Sequence, residues 1–294
     1  MANLKEVRSR ISSTIGTQQI TKAMKLVSAT KLRRATMAIT QMRPYALKLQ
    51  EILGNLSDSV DDEQLSTYFE TREIKNVLII AISSDRGLCG AFNANIGKQV
   101  KHLIQGDFAD EFNQGNITIM PLGKKAYDVF KKIDGLKFDL SAINLFQELN
   151  SENVFHIGEE VLTQYRSGNF DKVLIIYNHF VNAATQIVKT ETLLPVVTDT
   201  SSAENSSKND YIFEPSKVEI LQELIPRSLK TQLYKAALDS HASEHGARMV
   251  SMDKATDNAG EILKNLRIEY NKARQAAITN EISEIVGGAA ALEG

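Results

Sequence analysis

Three groups of residues in this chain have the types and spacing that chemistry uses. His241, Glu244 and His245 make an H-x-x-E-H pattern. On a helix it places two imidazoles on one face beside a carboxylate, as two zinc ligands and a general base would require. Residues 83–93, SSDRGLCGAFN, follow an apolar run and precede a helical one, where sheet proteins cradle phosphates. Lys22, Lys25, Lys31, Arg33 and Arg34 crowd one short stretch, a basic face suited to an acidic partner or to nucleic acid.

Each pattern has a plainer reading. A catalytic zinc needs a third protein ligand and a dry cleft, whereas H-x-x-E-H lies midway along a helical repeat of small residues, so packed or surface histidines are expected and no metal. His102, His156 and His179 are dispersed, and no serine, cysteine or lysine has a visible activating partner, so no catalytic residue is assigned. In the loop, Gly87 and Gly90 do not make G-x-G-x-x-G. Gly90 to Gly97–Lys98 spaces its glycines by six residues, where a P-loop has four, and Gln99 stands where a magnesium-binding hydroxyl belongs. A structural turn or partner contact at Asp85, Arg86, Gly87 and Gly90 is therefore expected, and no cofactor. The basic stretch has no aromatic residue before Tyr45, and the chain's pI is about 6.3, which argues against nucleic acid.

The elements that must hold these groups read as two long helices around an α/β middle. Asn3 and Glu6 suggest a cap, followed by Leu4, Val7, Ile11 and Ile15 at helical steps. Ile20, Met24 and Val27 continue the apolar side through the basic stretch, and Ala35, Ile39, Met42, Ala46, Leu49, Leu53 and Leu56 keep heptad spacing through Pro44, which predicts a kink without a stop. A second cap at Ser216 and Glu219 follows Pro215, and Pro226 is expected to start or bend the main helix. Leu229, Leu233, Ala236, Met252, Ala255, Ala259, Ile262, Leu266, Ala273, Ile278, Ile282 and Ile285 then line one side. Helices of roughly 80 and 90 Å cannot lie on a middle segment whose radius of gyration is near 15 Å, so they are expected to pair antiparallel.

Residues 76–83 and 173–180 are short apolar runs typical of strands buried on both faces. With a strand near 116–120 and helices near 95–105, 124–132 and 153–167, they predict an open, mostly parallel sheet with an added edge strand at 186–194 and a polar loop at 199–210. The domains expected are an N-terminal coiled-coil helix (1–57), a central α/β domain (58–213) and a C-terminal coiled-coil helix (214–294).

The net charge of −2 is uneven: residues 1–57 hold 10 basic and 2 acidic side chains, and residues 58–215 hold 14 and 23. Cys89 is the sole cysteine, which excludes an internal disulfide and fits a reducing compartment. There is neither an apolar run of about 18 residues nor a secretory signal, and a soluble chain made in the cytosol is expected.

Four segments, ITKAMKLVSATKLRRA at 20–35, SDRGLCGAFN at 84–93, ASEHGARMVSMDKATDNA at 242–259 and RQAAITNEISEIVGGAAAL at 274–292, closely resemble the gamma subunit of rotary F-type ATP synthases, across essentially the whole chain. Gly246, where many members carry alanine, and His241 are mild departures that would loosen the middle of the shaft. The resemblance implies a non-catalytic central-stalk rotor that couples ion-driven rotation of a c-subunit ring to ATP synthesis or hydrolysis on an alpha/beta hexamer. It implies contacts of Arg274, Gln275 and Thr279 with beta subunits, of Met24 and Lys25 with their mobile acidic loops, and of the globular end with the epsilon subunit and the c ring. A bacterial type is expected, peripheral on the cytoplasmic face of the plasma membrane and attached only through the complex, because the inserted dithiol segment of chloroplast relatives is missing. A static coiled-coil scaffold and a nucleotide-binding α/β enzyme are the rival readings.

Overall fold

The computed structural model describes residues 4–56, 67–70, 72–196 and 216–293, without the side chains of residues 50, 53–56, 217 and 290–293. The expected cap at Asn3, Pro215, the 199–210 loop, the side chains of Leu53 and Leu56, and the domain boundaries at 57/58 and 213/214 lie outside the described residues. The elements are α1 (Leu4–Leu56), β1 (Val77–Ile82), α2 (Phe92–Gln105), α3 (Ala109–Asn113), β2 (Ile117–Leu122), α4 (Lys124–Phe130), β3 (Lys137–Phe138), a 3-10 turn (Leu145–Gln147), α5 (Ser151–Arg166), β4 (Lys172–Phe180), β5 (Gln186–Leu194) and α6 (Lys217–Glu293). They divide into two compact units, residues 1–28 with 249–294, and residues 29–248.

The larger unit is built on a five-stranded sheet in the order β3-β2-β1-β4-β5. β1 pairs parallel with β2 and β4, β2 pairs parallel with β3, and only β4–β5 is antiparallel. Every residue of β1 is buried because successive side chains enter opposite cores. Leu78, Ile80 and Ile82 pack with Val154, Val161 and Tyr165 of α5 and with Leu221, Ile225, Leu229 and Leu233 of α6. Val77, Ile79 and Ala81 pack with Ile96, Val100 and Ile104 of α2 and with Ala126 and Phe130 of α4. The strands expected at 76–83, 116–120, 173–180 and 186–194 are all present; β3 and α3 are additional, each too short to leave a periodic trace.

Pro44 and Pro226 lie inside continuous helix. Ser216 caps α6 through Oγ, which accepts from Glu219 N at 3.3 Å while donating to its carboxylate at 3.1 Å. The helix therefore starts ahead of Pro226, whose missing N–H is offset by the burial of Leu221, Ile225 and Leu229 on either side. Gly246 does not loosen the helix: a Cβ there would lie 3.1 Å from Ala183 Cα, so glycine admits the backbone that crosses it.

In the smaller unit α1 and α6 run antiparallel, since contacts pair Arg8 with Tyr270, Thr21 with Thr256 and Lys25 with Asp253. Here the expected seam is corrected. Ile20 is 62% exposed and Val27 56%, while the buried side holds Val7, Thr21 and Ser28, with Thr14, Gln18 and Lys25 half-buried. The seam keeps its heptad but is polar, because the partner helix satisfies it. Thr256 Oγ1 donates to Thr21 Oγ1 at 2.8 Å, and Gln18 Nε2 donates to Thr256 O at 3.4 Å. On α6, Leu263 takes the seam position expected of Ile262, which is 51% exposed.

Candidate partner-contact surfaces

The 83–93 loop lies where β1 ends, beside β4, the point at which the strand order reverses and an open parallel sheet has its binding crevice. Here that crevice is filled from within. Ser243 Oγ of α6 donates to Asn178 O at 2.9 Å, and Asn178 Nδ2 donates to Phe92 O at 3.3 Å. Cys89 and Phe92 pack on Ala247. Below the loop, Asn93 ties Ser84 and Cys89 together, with Nδ2 at 2.8 Å from Ser84 Oγ and 3.2 Å from Cys89 Sγ. Burial pushes the Cys89 thiol up, away from nucleophilic use.

The loop residues named from sequence have unlike surroundings. Asp85 Oδ1 accepts from Lys124 N at 3.2 Å at the start of α4, where a carboxylate suits the free N–H groups. The Arg86 side chain is exposed. Gly87 has open space about it, whereas Gly90 has φ +60° and needs the freedom of glycine. Two residues with larger consequences were not singled out. Leu88 holds φ +63° and is 62% exposed. Arg248, buried on α6, donates to Arg86 O at 2.8 Å and Gly87 O at 3.2 Å. The positive φ leaves no trace in sequence, and Arg248 meets the loop across about 160 residues.

The H-x-x-E-H residues form a closed network. His245 Nε2 lies 3.1 Å from His241 Nε2, so one ring donates to the other. Arg248 faces His245 Nδ1 at 3.4 Å, and Phe146 stacks on His241. Burial, with Lys31 and Arg248 nearby, lowers His241 to about 4. Burial, His241, Arg248 and Lys31 lower His245 to about 3. Both rings are thus neutral near pH 7. Glu244, the would-be base, instead pairs with Arg248 at 2.7 Å, and burial raises its pKa. Beside this network, Asp239 is fully buried between Arg43 at 2.8 Å and His179 at 3.1 Å, a link among α1, β4 and α6. Among the described residues no group of three or more His, Cys, Asp or Glu side chains is placed to hold a metal ion.

In the smaller unit the residues expected to contact partners have unlike surroundings. Met24 is half-buried, and the Lys25 ammonium is held by Asp253 at 2.5 Å. Arg274, Gln275 and Thr279 are exposed, with Thr279 Oγ1 turned back onto Gln275 O at 2.9 Å. Beyond them Ile278, Ile282, Ile285 and Val286 form an apolar stripe at helical spacing, Ile285 being 71% exposed. Among the described residues no helix is long and apolar enough to cross a membrane.

Comparison with known proteins agrees with these elements, two long helices and a mostly parallel sheet. The family described as ATP synthase matches residues 3–292. The chain is 54% identical over 296 aligned residues to the ATP synthase gamma chain of Christiangramia forsetii and 53% identical over 294 to that of Flavobacterium johnsoniae, each covering all of both chains. Among solved structures, the central stalk/c-ring assembly of Tetrahymena thermophila mitochondrial ATP synthase contains a chain 28% identical, with TM-score 0.57, covering 80% of this chain and 99% of its own. A chain in Euglena gracilis mitochondrial ATP synthase, 22% identical with TM-score 0.69 over 98% of this chain and 94% of its own, shares the fold. The chain belongs to the ATP synthase gamma-chain family, the central-stalk rotor of F1Fo ATP synthase and a non-catalytic subunit of that enzyme.

Proposed function

We propose that this rotor engages an alpha/beta hexamer through the end of α6, the epsilon subunit and c ring through its sheet unit, and so couples ion-driven rotation to ATP synthesis or hydrolysis at the cytoplasmic face of a bacterial plasma membrane. The observation that carries this reading is the stripe of Ile278, Ile282, Ile285 and Val286. Four large apolar side chains exposed on one helical segment cost free energy in water until a partner covers them. Arg274, Gln275 and Thr279 stand at the base of that segment, where directional polar bonds would index the angle of an otherwise slippery apolar contact on beta subunits.

Met24 and the exposed cations Lys22, Arg33 and Arg34 suit the acidic loops of beta. Lys25 contributes there chiefly by fixing the helix pair, since Asp253 already holds its charge. The asymmetry of the shaft then makes different contacts with each catalytic unit, and rotation biases nucleotide affinity through a coupling free energy.

Reconstitution with alpha and beta subunits tests the assignment. Because Cys89 is buried, the rotation probe belongs on an introduced thiol such as Lys98→Cys. ATP-driven rotation is expected, with loss of torque when α6 is truncated after Ala277. An active complex without rotation would leave a static scaffold as the answer. Tight ATP binding by the isolated chain, measured by calorimetry, would favour the nucleotide enzyme.

A further inference from the structure

We propose that His241, His245 and Arg248 form an acid-sensitive latch, in which a proton taken up at either ring sets an N–H against Arg248 and releases its clamp on the 86–88 turn. All of these parts belong to the larger unit. The tautomers of the two rings follow from the one group among them that can only donate. Because Arg248 has no acceptor, His245 Nδ1, 3.4 Å from one of its terminal nitrogens, must accept and carries no proton. The proton of His245 is therefore on Nε2, and it is donated to His241 Nε2, 3.1 Å away. His241 Nε2 accepts, which leaves the proton of His241 on Nδ1.

The guanidinium joins this chain to the turn. Its Nε donates to Gly87 O at 3.2 Å and one terminal nitrogen donates to Arg86 O at 2.8 Å, while the terminal nitrogen facing His245 also pairs with Glu244 at 2.7 Å. Neither ring has room for a further proton in this pattern. At His245 the proton must enter Nδ1, where it meets an N–H of a like-charged group. At His241 it must enter Nε2, and the bond between the rings then survives only if His245 carries its own proton on Nδ1, with the same result. No neighbour relieves the added charge. Lys31 of α1 is itself cationic, Glu244 is already engaged by Arg248, Asp85 of the loop acts on Glu244, and Phe146, stacked on His241, is neutral. Once Arg248 is displaced, Leu88, just beyond the two gripped carbonyls, is free to leave its φ of +63°.

Burial, with the cations around them, lowers the latched rings to about 4 and about 3, and a ring that water reaches on opening returns toward about 6.5. The latch is thus fully closed above about pH 6.5 and weakens as pH falls, by about tenfold per pH unit for one proton.

Two measurements on the full-length chain test it. Nitrogen-15 spectra of the histidine rings at pH 7 are expected to show His245 protonated on Nε2 and His241 on Nδ1; any other pair of tautomers overturns the latch. Amide exchange at residues 86–90, corrected for intrinsic rates, is expected to lose about tenfold in protection from pH 6 to pH 5 while staying faster than in β1. His245→Gln keeps an acceptor for Arg248 but takes up no proton, so it is expected to retain protection at pH 7 and to lose the acid dependence. The same acid dependence in this variant overturns the latch. So does a common exchange rate at 86–90 and in β1, which would mark unfolding of the whole unit.

Discussion

The two compact units use their side chains in opposite ways. In residues 29–248 the sheet is sealed on both faces, and even a fully buried charge, Asp239, is met by Arg43 and His179. In residues 4–28 and 249–293 the seam is partly polar and the apolar surplus faces outward, at Ile20, Leu26, Ile262, Ile278, Ile282 and Ile285. The first unit buries most of its large apolar side chains in its own cores, with exceptions such as Leu88 and Ile187, and the second leaves a continuous set of them on the outside of its helices.

The sharpest way to break this contrast is to place one charge in each unit. Ile80→Asp, at a fully buried β1 position, is expected to cost more than about 4 kcal/mol and to abolish cooperative unfolding of the sheet unit. Ile282→Asp is expected to change the thermal midpoint of the isolated chain little while weakening activation of reconstituted alpha and beta subunits. Equal effects on melting would mean that the stripe is already buried.

Next in size, Asp239→Asn removes the carboxylate facing Arg43 and His179 and is expected to cost about 2–3 kcal/mol in chemical denaturation, less than a fully buried pair because Arg43 reaches water. The histidine pair gives a pH signature. His241 and His245 have folded pKa values lowered to about 4 and about 3, so below pH 6.5 the unfolded chain binds more protons. Their contribution is complete above that pH and lost on acidification, with a slope approaching about 2.7 kcal/mol per pH unit for two protons. Glu244, whose pKa is raised, acts in the opposite sense. Urea titrations at stepped pH should show the slope fall when both histidines are replaced by glutamine.

The smallest expected effect separates strut from contact. Lys25 and Asp253 are each only partly buried, so Lys25→Asp alone should cost about 0.2–1 kcal/mol, and less in high salt. The exchange Lys25→Asp with Asp253→Lys should restore melting. If it restores melting but not coupling in the complex, Lys25 also acts on a partner.

Much of this architecture was legible before any coordinates. Buried strands announce themselves as short apolar runs, as at Val77–Ile82 and Lys172–Phe180, because a strand covered on both faces has no polar side. The Ser216–Glu219 cap was readable because both halves lie three residues apart. The loop was recognisable from its position after β1, but its exposed side chain and its clamp were not, since neither the φ of Leu88 nor a partner on α6 is written locally.

What the chain determined by itself is the type and order of its elements and the heptad period of its long helices, because these follow from residues within a few turns of one another. Which side of those helices is inside was decided only by tertiary structure. Thr21, Gln18 and Lys25 look like surface residues and Ile20 and Val27 like seam until Thr256 and Asp253 arrive from the other end of the chain. A polar group is buried where its hydrogen bond is met, and that depends on a partner more than 200 residues away.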